Sequence, residues 1–386
     1  VFAILVFILI LGLLVFVHEA GHFVVAKRAG MNVEEFGFGF PPRIIGVQKV
    51  SGRWRVVTRH SSLVTRHSTI YSLNWVPLGG FVRITGENGA DTDDPKNFAA
   101  KPRWQRALVD VAGVAMNLVL AIAIFSGIYA VGAPQVLEGL PPGAVVRDRQ
   151  ASIMGVLTGS PAATAGVQPG DVIASVDGRT FTDVTDVQRY IRERGEEEIE
   201  IAIDRKGVAR TFRVRPGPLP GVEYPGIGVQ LVPTGTVRFP PHVAVWYGIR
   251  TTGVVIVDIL RALGNLVHGL ATQRAVTVDI AGPVGIAVLT GQVVQLGFIH
   301  LLQFTAVLSA NLALLNVLPF PALDGGRLFL LVVEVIRRRS LTRRVENLIH
   351  TIGFGILLLL VVAVTYRDIV VFGGSIMSSI RSAVGF

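Results

Sequence analysis

The chain has 386 residues, 51% of them apolar, with 36 Lys+Arg against 27 Asp+Glu and a net charge of +9. That balance excludes an ordinary soluble protein and points to a multispanning membrane protein of two or three domains. Cysteine is absent, which excludes disulfides and thiolate metal sites, so any metal is held by His and carboxylate. A surplus of positive charge can also mean nucleic acid, but its distribution argues for lipid. Lys27 to Arg106 holds 13 basic and 6 acidic residues, and Arg327 to Glu346 holds 6 and 2, both beside apolar runs. Those segments read as cytoplasmic by the positive-inside rule. Ala133 to Val237, with 11 basic and 13 acidic residues, reads as a domain on the far side.

In chain order, residues 1–30 predict a first transmembrane helix, apolar through Val25 and closed by Lys27 and Arg28. A signal peptide fits less well, because no basic region precedes the apolar run and no small-x-small site follows it. Residues 31–106 are punctuated by Gly37, Gly39, Pro41, Pro42, Gly79 and Gly80 around β-type runs such as 71–76, predicting a cytoplasmic-side or re-entrant hairpin region. Within it Val57-Thr58-Arg59-His60-Ser61 recurs as Val64-Thr65-Arg66-His67-Ser68. We read this as a duplication that lengthens a loop, with His60 and His67 solvated. Residues 107–133 predict a second span, and 134–237 a globular insert with a helix near 183–194 and a strand at 199–203. Residues 238–294 carry Arg250, Asp258 and Arg261 in an apolar background and predict an interfacial amphipathic segment. Residues 295–326 give a third span, and 327–386 a cytoplasmic loop, a fourth span and a tail. The predicted fold class is thus an α-helical polytopic membrane protein of about four transmembrane helices, with a membrane-associated β-hairpin region and an inserted α+β domain.

His18-Glu19-Ala20-Gly21-His22 fits H-E-x-x-H, and four helical residues at about 100° each bring the two imidazoles to one face. Glu19 then stands where it can act as general base toward a metal-activated water. Ionisable groups in an otherwise unbroken apolar span usually face a partner, a cavity or an ion. A zinc site needs a third protein ligand, and no acid stands about twenty residues after His22. Asp324, in Asn316-Val317-Leu318-Pro319-Phe320-Pro321-Ala322-Leu323-Asp324-Gly325-Gly326, is the only acid between Ile280 and Leu330. We place it at the end of the third span, where Pro319 and Pro321 break the helix.

These two motifs, in this order and around an insert, resemble the site-2 protease family, specifically the bacterial regulator-of-sigma-E protease branch. The stretches Pro77-Leu78-Gly79-Gly80-Phe81, Trp104-Gln105-Arg106 and Gly282-Pro283-Val284-Gly285 agree. The resemblance implies Zn²⁺ on His18, His22 and Asp324, Glu19 as catalytic base, and Asn316 on the substrate backbone. It makes 36–84 a membrane-dipping β element, with Gly79 and Gly80 as substrate-binding positions, whose edge pairs with an unwound substrate. Val114 departs from the family, which often has Pro there. Gly159-Ser160-Pro161-Ala162-Ala163 and Gly166-Val167-Gln168-Pro169-Gly170-Asp171 resemble a PDZ domain of the bacterial protease kind, which we read as a size filter in preference to a binder of extended C-termini. The implied activity is zinc-dependent intramembrane cleavage of single-pass transmembrane proteins, of the anti-sigma factor or remnant signal peptide type, in regulated intramembrane proteolysis. The expected setting is the inner (cytoplasmic) membrane, with the insert extracytoplasmic, the active site toward the cytoplasm, lipid as surroundings and no nucleic acid. A membrane-embedded metal holder would not need Glu19, and a transporter would show internal repeats that this sequence lacks.

Overall fold

A computed structural model describes residues 2–58, 68–87, 94–137, 139–140, 143–205, 207–219, 222–272, 281–339 and 342–384. His60 and His67 therefore lie outside the described residues. In chain order the elements are α1 (Phe2–Arg28), β1 (Val33–Val50), β2 (Arg53–Val57), β3 (Ile70–Ile84), α2 (Arg103–Val131), β4 (Ala133–Val136) and β5 (Val145–Val156). There follow α3 (Pro161–Ala165), β6 (Val172–Val176), α4 (Val184–Arg194), β7 (Ile199–Arg205), β8 (Val208–Val214), β9 (Gly217–Leu219), β10 (Val222–Gly226) and β11 (Val229–Arg238). The last helices are α5 (Pro241–Ala271), α6 (Pro283–Leu296), α7 (Phe298–Val317), α8 (Asp324–Arg337) and α9 (Arg343–Val384). The chain divides into two units, one made of Val1–Phe125 with Gly248–Phe386, the other of Ser126–Tyr247.

The first unit is a bundle of apolar helices with a small sheet. Five stretches among the described residues are long and apolar enough to cross a membrane: α1, α2, Pro241–Gly269, α7 and Arg344–Gly373. The segment expected as a single interfacial stretch is two helices, α5 and α6, and α5 alone has the length of a span. The described part of the hairpin region is an antiparallel sheet in the order β2-β1-β3. β1 bends midway, so that Phe36 matches both Tyr71 and Val82, and Val47 matches Tyr71 and Val56. Phe36 stacks on Phe23 of α1 at 4.6 Å between centroids and packs on Phe16 at 5.2 Å. The sheet is thus held against the helix that carries the H-E-x-x-H motif.

One expectation needs correction. Asp324 does not end the third span; α7 stops at Val317, and Asp324 is the first residue of α8. Pro319 and Pro321 cannot continue the ladder of amide donors, and the chain turns through 318–323, with Ala322 at φ +79°. It re-enters a helix at once because Gly325 and Gly326 lie directly on the backbone of Val317, Leu318 and Phe320, where a Cβ would collide. Val114, where the family often has Pro, sits buried inside the unbroken α2.

The second unit holds a six-stranded sheet in the order β4-β11-β5-β6-β7-β8. Alternation places Ile199, Ile201 and Ile203 of β7 inward with Ile153, Ile173 and Val187. Ser160 caps α3 through Ala163 N–H at 3.2 Å, and Asp183 caps α4 through Thr185 N–H at 2.8 Å. Asp171, 1% exposed, accepts from Arg205 Nε at 2.7 Å, Arg205 Nη2 at 2.8 Å and Gln168 N–H at 2.8 Å. Burial alone would raise its carboxyl, but these bonds hold it below the usual carboxylate range.

A carboxyl whose native pKa is depressed stabilises fully above its unfolded value of about 3.9 and loses that contribution as pH falls through the native value. Asp171→Asn should therefore destabilise the insert at neutral pH. Hydrogen exchange of the buried β6 and β7 amides, corrected for intrinsic rates, should show the wild type approaching the variant only in acid.

Candidate metal centre

The H-E-x-x-H turn of α1 faces α2 and α8. His18 and His22 are 7% and 8% exposed. Their Nε2 atoms lie 3.1 Å apart, and Asp324 Oδ2 is 2.9 Å from His18 Nε2 and 3.3 Å from His22 Nε2. One ligand atom from each of the three residues falls within 4.8 Å of the others. Two neutral imidazoles and a carboxylate with a side left open are the donor set of a catalytic zinc site.

The imidazoles are oriented from behind. His22 Nδ1–H donates to the Val109 carbonyl of α2 at 2.7 Å, which leaves Nε2 with its lone pair toward Asp324. His18 Nδ1 lies 3.3 Å from the Asn117 side-chain amide, whose Oδ1 is buried with no hydrogen-bond partner among the described residues. With the amide turned over, Oδ1 accepts the Nδ1 proton and His18 Nε2 is likewise freed for a metal. Asn117 is fixed in turn, its backbone carbonyl accepting from Ser309 Oγ of α7 at 2.7 Å. Glycines allow this proximity. Gly21 rests on the Ala112 backbone, and a Cβ on Gly113 would meet His18 Cε1 at 2.6 Å and His18 Nε2 at 2.7 Å.

Glu19 is held from the other direction. Its Oε2 accepts the Val82 amide of β3 at 3.1 Å, so β3, the last strand in the sheet order, presents an edge amide to the carboxylate. Gly79 and Gly80 make that approach possible. Gly79 sits at φ +117° with Val15 where its Cβ would be, and Gly80 would meet Phe16 Cα at 3.0 Å. Their visible role is thus packing β3 on α1. Asn316 is the penultimate residue of α7 and half-buried, and it is not among the described residues lining the cavity over the site. That cavity, of about 530 Å³, is lined by Glu19, His22, Val82, Asp110, Asp324 and Arg327 among others.

The motifs brought together His18, Glu19, His22 and Asp324. Missed in the sequence were Asn117, Asp110 and Arg327, although Arg103, Arg106, Asp110, Gly113 and Asn117 follow a helical 3-4-3-4 spacing. Polar side chains inside an apolar span are the signal that could have found Asn117 and Asp110.

Residues 6–360 match the sequence pattern of peptidase family M50. The chain belongs to that family, the site-2 proteases. Relatives bearing the name zinc metalloprotease include a protein of Clostridium perfringens, 33% identical over 96% of this chain and 98% of its own length. One of Agrobacterium fabrum is 32% identical over 94% of each chain, and the zinc metalloprotease RasP of Oceanobacillus iheyensis is 29% identical over 94% of this chain and 97% of its own. Among solved structures, the PDZ domain of the SdrC-like protein of Listeria monocytogenes is similar at 23% identity, covering 22% of this chain and 92% of that one, with a TM-score of 0.21.

Supporting groups behind zinc ligands typically matter by about 10- to 100-fold in metal affinity. Asn117→Leu should weaken zinc by that order in competition with a calibrated chelator, and Gly113→Val should abolish stoichiometric zinc in the purified chain. An unaltered affinity in both variants would remove α2 from the site.

Proposed function

We propose that this M50 peptidase hydrolyses peptide bonds inside the transmembrane segments of single-pass membrane proteins, as a step of regulated intramembrane proteolysis. The observation that carries this reading is the convergence of His18, His22 and Asp324 beside Glu19, within a bundle of apolar helices. The activity is that of a zinc metalloendopeptidase. When bound, Zn²⁺ supplies a Lewis acid that activates water and polarises the scissile carbonyl. Val109 and Asn117 hold the imidazoles neutral and aimed, and Asp324 supplies the negative charge. Glu19 takes a proton from the attacking water and returns it to the leaving amine. The surrounding apolar helices exclude bulk water, which strengthens each of these interactions.

A helical peptide bond is sterically hidden, so the substrate segment must become extended. The edge of β3 offers strand addition, which satisfies the amides and carbonyls freed by unwinding. In this reading Gly79 and Gly80 keep that edge on the active site, and Asn316 contacts substrate backbone where the substrate leaves the sheet.

The chain lies in the cell's inner membrane, its catalytic side cytoplasmic and its insert extracytoplasmic. The charge contrast between 27–106, 327–346 and 133–237 supports this. α5 lies in the interface, leaving four crossings, so that α7 starts on the insert side and delivers Asp324 to the side of Lys27 and Arg28. The exposed Arg261–Asp258 pair on α5 suits that placement. The insert acts as a size filter. A groove of about 580 Å³ lined by Val229, Leu231 and Gln188 favours a second reading, in which it also receives an extended peptide.

Glu19→Gln should abolish cleavage of a reconstituted single-pass substrate while one zinc per chain persists, and Asp324→Ala should lose both. Metal analysis coupled to the cleavage assay checks this. Full cleavage by Glu19→Gln would refute the mechanism.

A further inference from the structure

We infer that Arg327 is a positioning residue whose charge locks together the three elements on which the active centre is assembled, an inference that rests on reading the chain as a peptidase. Arg327 follows Asp324 by three positions on α8, so one helical turn sets the guanidinium and the carboxylate ligand on the same face. From there it bonds one support and lines the same cavity as a second. Its Nη1 bonds the carboxylate of Glu87, three residues beyond the end of β3, the strand whose Val82 amide holds Glu19. It also lines one cavity with Asp110 of α2, the neighbour of Val109, whose carbonyl orients His22. Asp110 is 3% exposed, and its Oδ2 has no hydrogen-bond partner among the described residues. A buried carboxylate in that condition depends on a neighbouring cation. Glu87, Asp110 and Arg327 line the same cavity as Glu19 and Asp324.

The wider pattern agrees. Along α8 from Asp324 through Arg327 to Glu334, the partners on α2 run backward in sequence. Gly113 lies at the imidazoles, then comes Asp110, and then Arg106 and Arg103, which pair with Glu334 at 3.6 and 3.7 Å. α2 and α8 are therefore keyed by alternating charge, and Arg327 is a rung of that ladder that also bonds Glu87 just past the end of β3. Removing its charge leaves the three zinc ligands present. What it releases is the register between the base on α1, the strand edge and α8, a register on which reaction geometry depends.

The test uses the full-length chain in detergent, with zinc content, thermal unfolding and cleavage rates at varied substrate measured on each variant. Arg327→Gln should keep one zinc and unfold at a lower temperature, because buried carboxylates lose their cation, and at full zinc content it should lower kcat on the order of 10- to 100-fold with KM little changed. Arg327→Lys should recover part of the loss. In a double-mutant cycle, Asp110→Asn combined with Arg327→Gln should cost no more than Arg327→Gln alone, because the two share one interaction. A wild-type kcat in Arg327→Gln, a fall that tracks lost zinc, or strictly additive losses in the cycle would overturn the inference. Should Arg327→Gln fail to fold, the Lys variant and Asp110→Asn decide it by the same criteria. A zinc-loaded wild type that cuts nothing contradicts the peptidase reading itself, and the inference with it.

Discussion

The structure depends on one constraint: three polar ligands must meet inside a bundle whose other surfaces are apolar. Unpaired ionisable groups are expensive there, so the fold surrounds His18, His22 and Asp324 with partners that fix their direction as well as their energy. The Val109 carbonyl and the Asn117 amide come from α2, and the carboxylate comes from α8. Each requires close backbone approach, and the glycines at 21, 113, 325 and 326 stand where a side chain would prevent it. Sequence features that look like separate motifs are thus consequences of bringing three helices within reach of one ion.

The small sheet extends the same logic to the base. Glu19 points away from the ligands' supports and toward β3, whose Val82 amide it engages. In the proposed function the strand that bonds this carboxylate also offers its edge to the substrate, which links substrate binding to the state of the base. Gly79 and Gly80 serve this arrangement through their closeness to Val15 and Phe16. The insert, by contrast, is an autonomous piece of architecture whose core of alternating isoleucines and buried Asp171–Arg205 pair owe nothing to the membrane.

Much of this was legible in the sequence because its strongest signals are local. H-E-x-x-H needs only helical periodicity, the insert announces itself through turn glycines and balanced charge, and Asp324 stands alone in a long acid-free stretch. What was not legible depends on which surfaces of distant elements meet. That Asp324 opens α8 follows from Gly325 and Gly326 settling on the α7 backbone, a tertiary contact that no spacing encodes. Hydropathy alone likewise does not separate a helix that lies in an interface from one that crosses a bilayer, and α5 has the length for either. Asn117 and Asp110 were readable in principle as polar residues on one stripe of an apolar helix. Arg327 was not, because its partners lie 240 positions away at Glu87 and on another helix.

The central claim, that two imidazoles of α1 and the carboxylate of α8 bind a single zinc ion, is tested most directly by X-ray absorption at the zinc edge on the full-length chain. The account predicts a first shell of nitrogen and oxygen donors at about 2.0 to 2.2 Å, with outer-shell scattering from two imidazoles. A first shell with one imidazole or none, or with coordination unchanged when Asp324 is replaced by Ala, would contradict it.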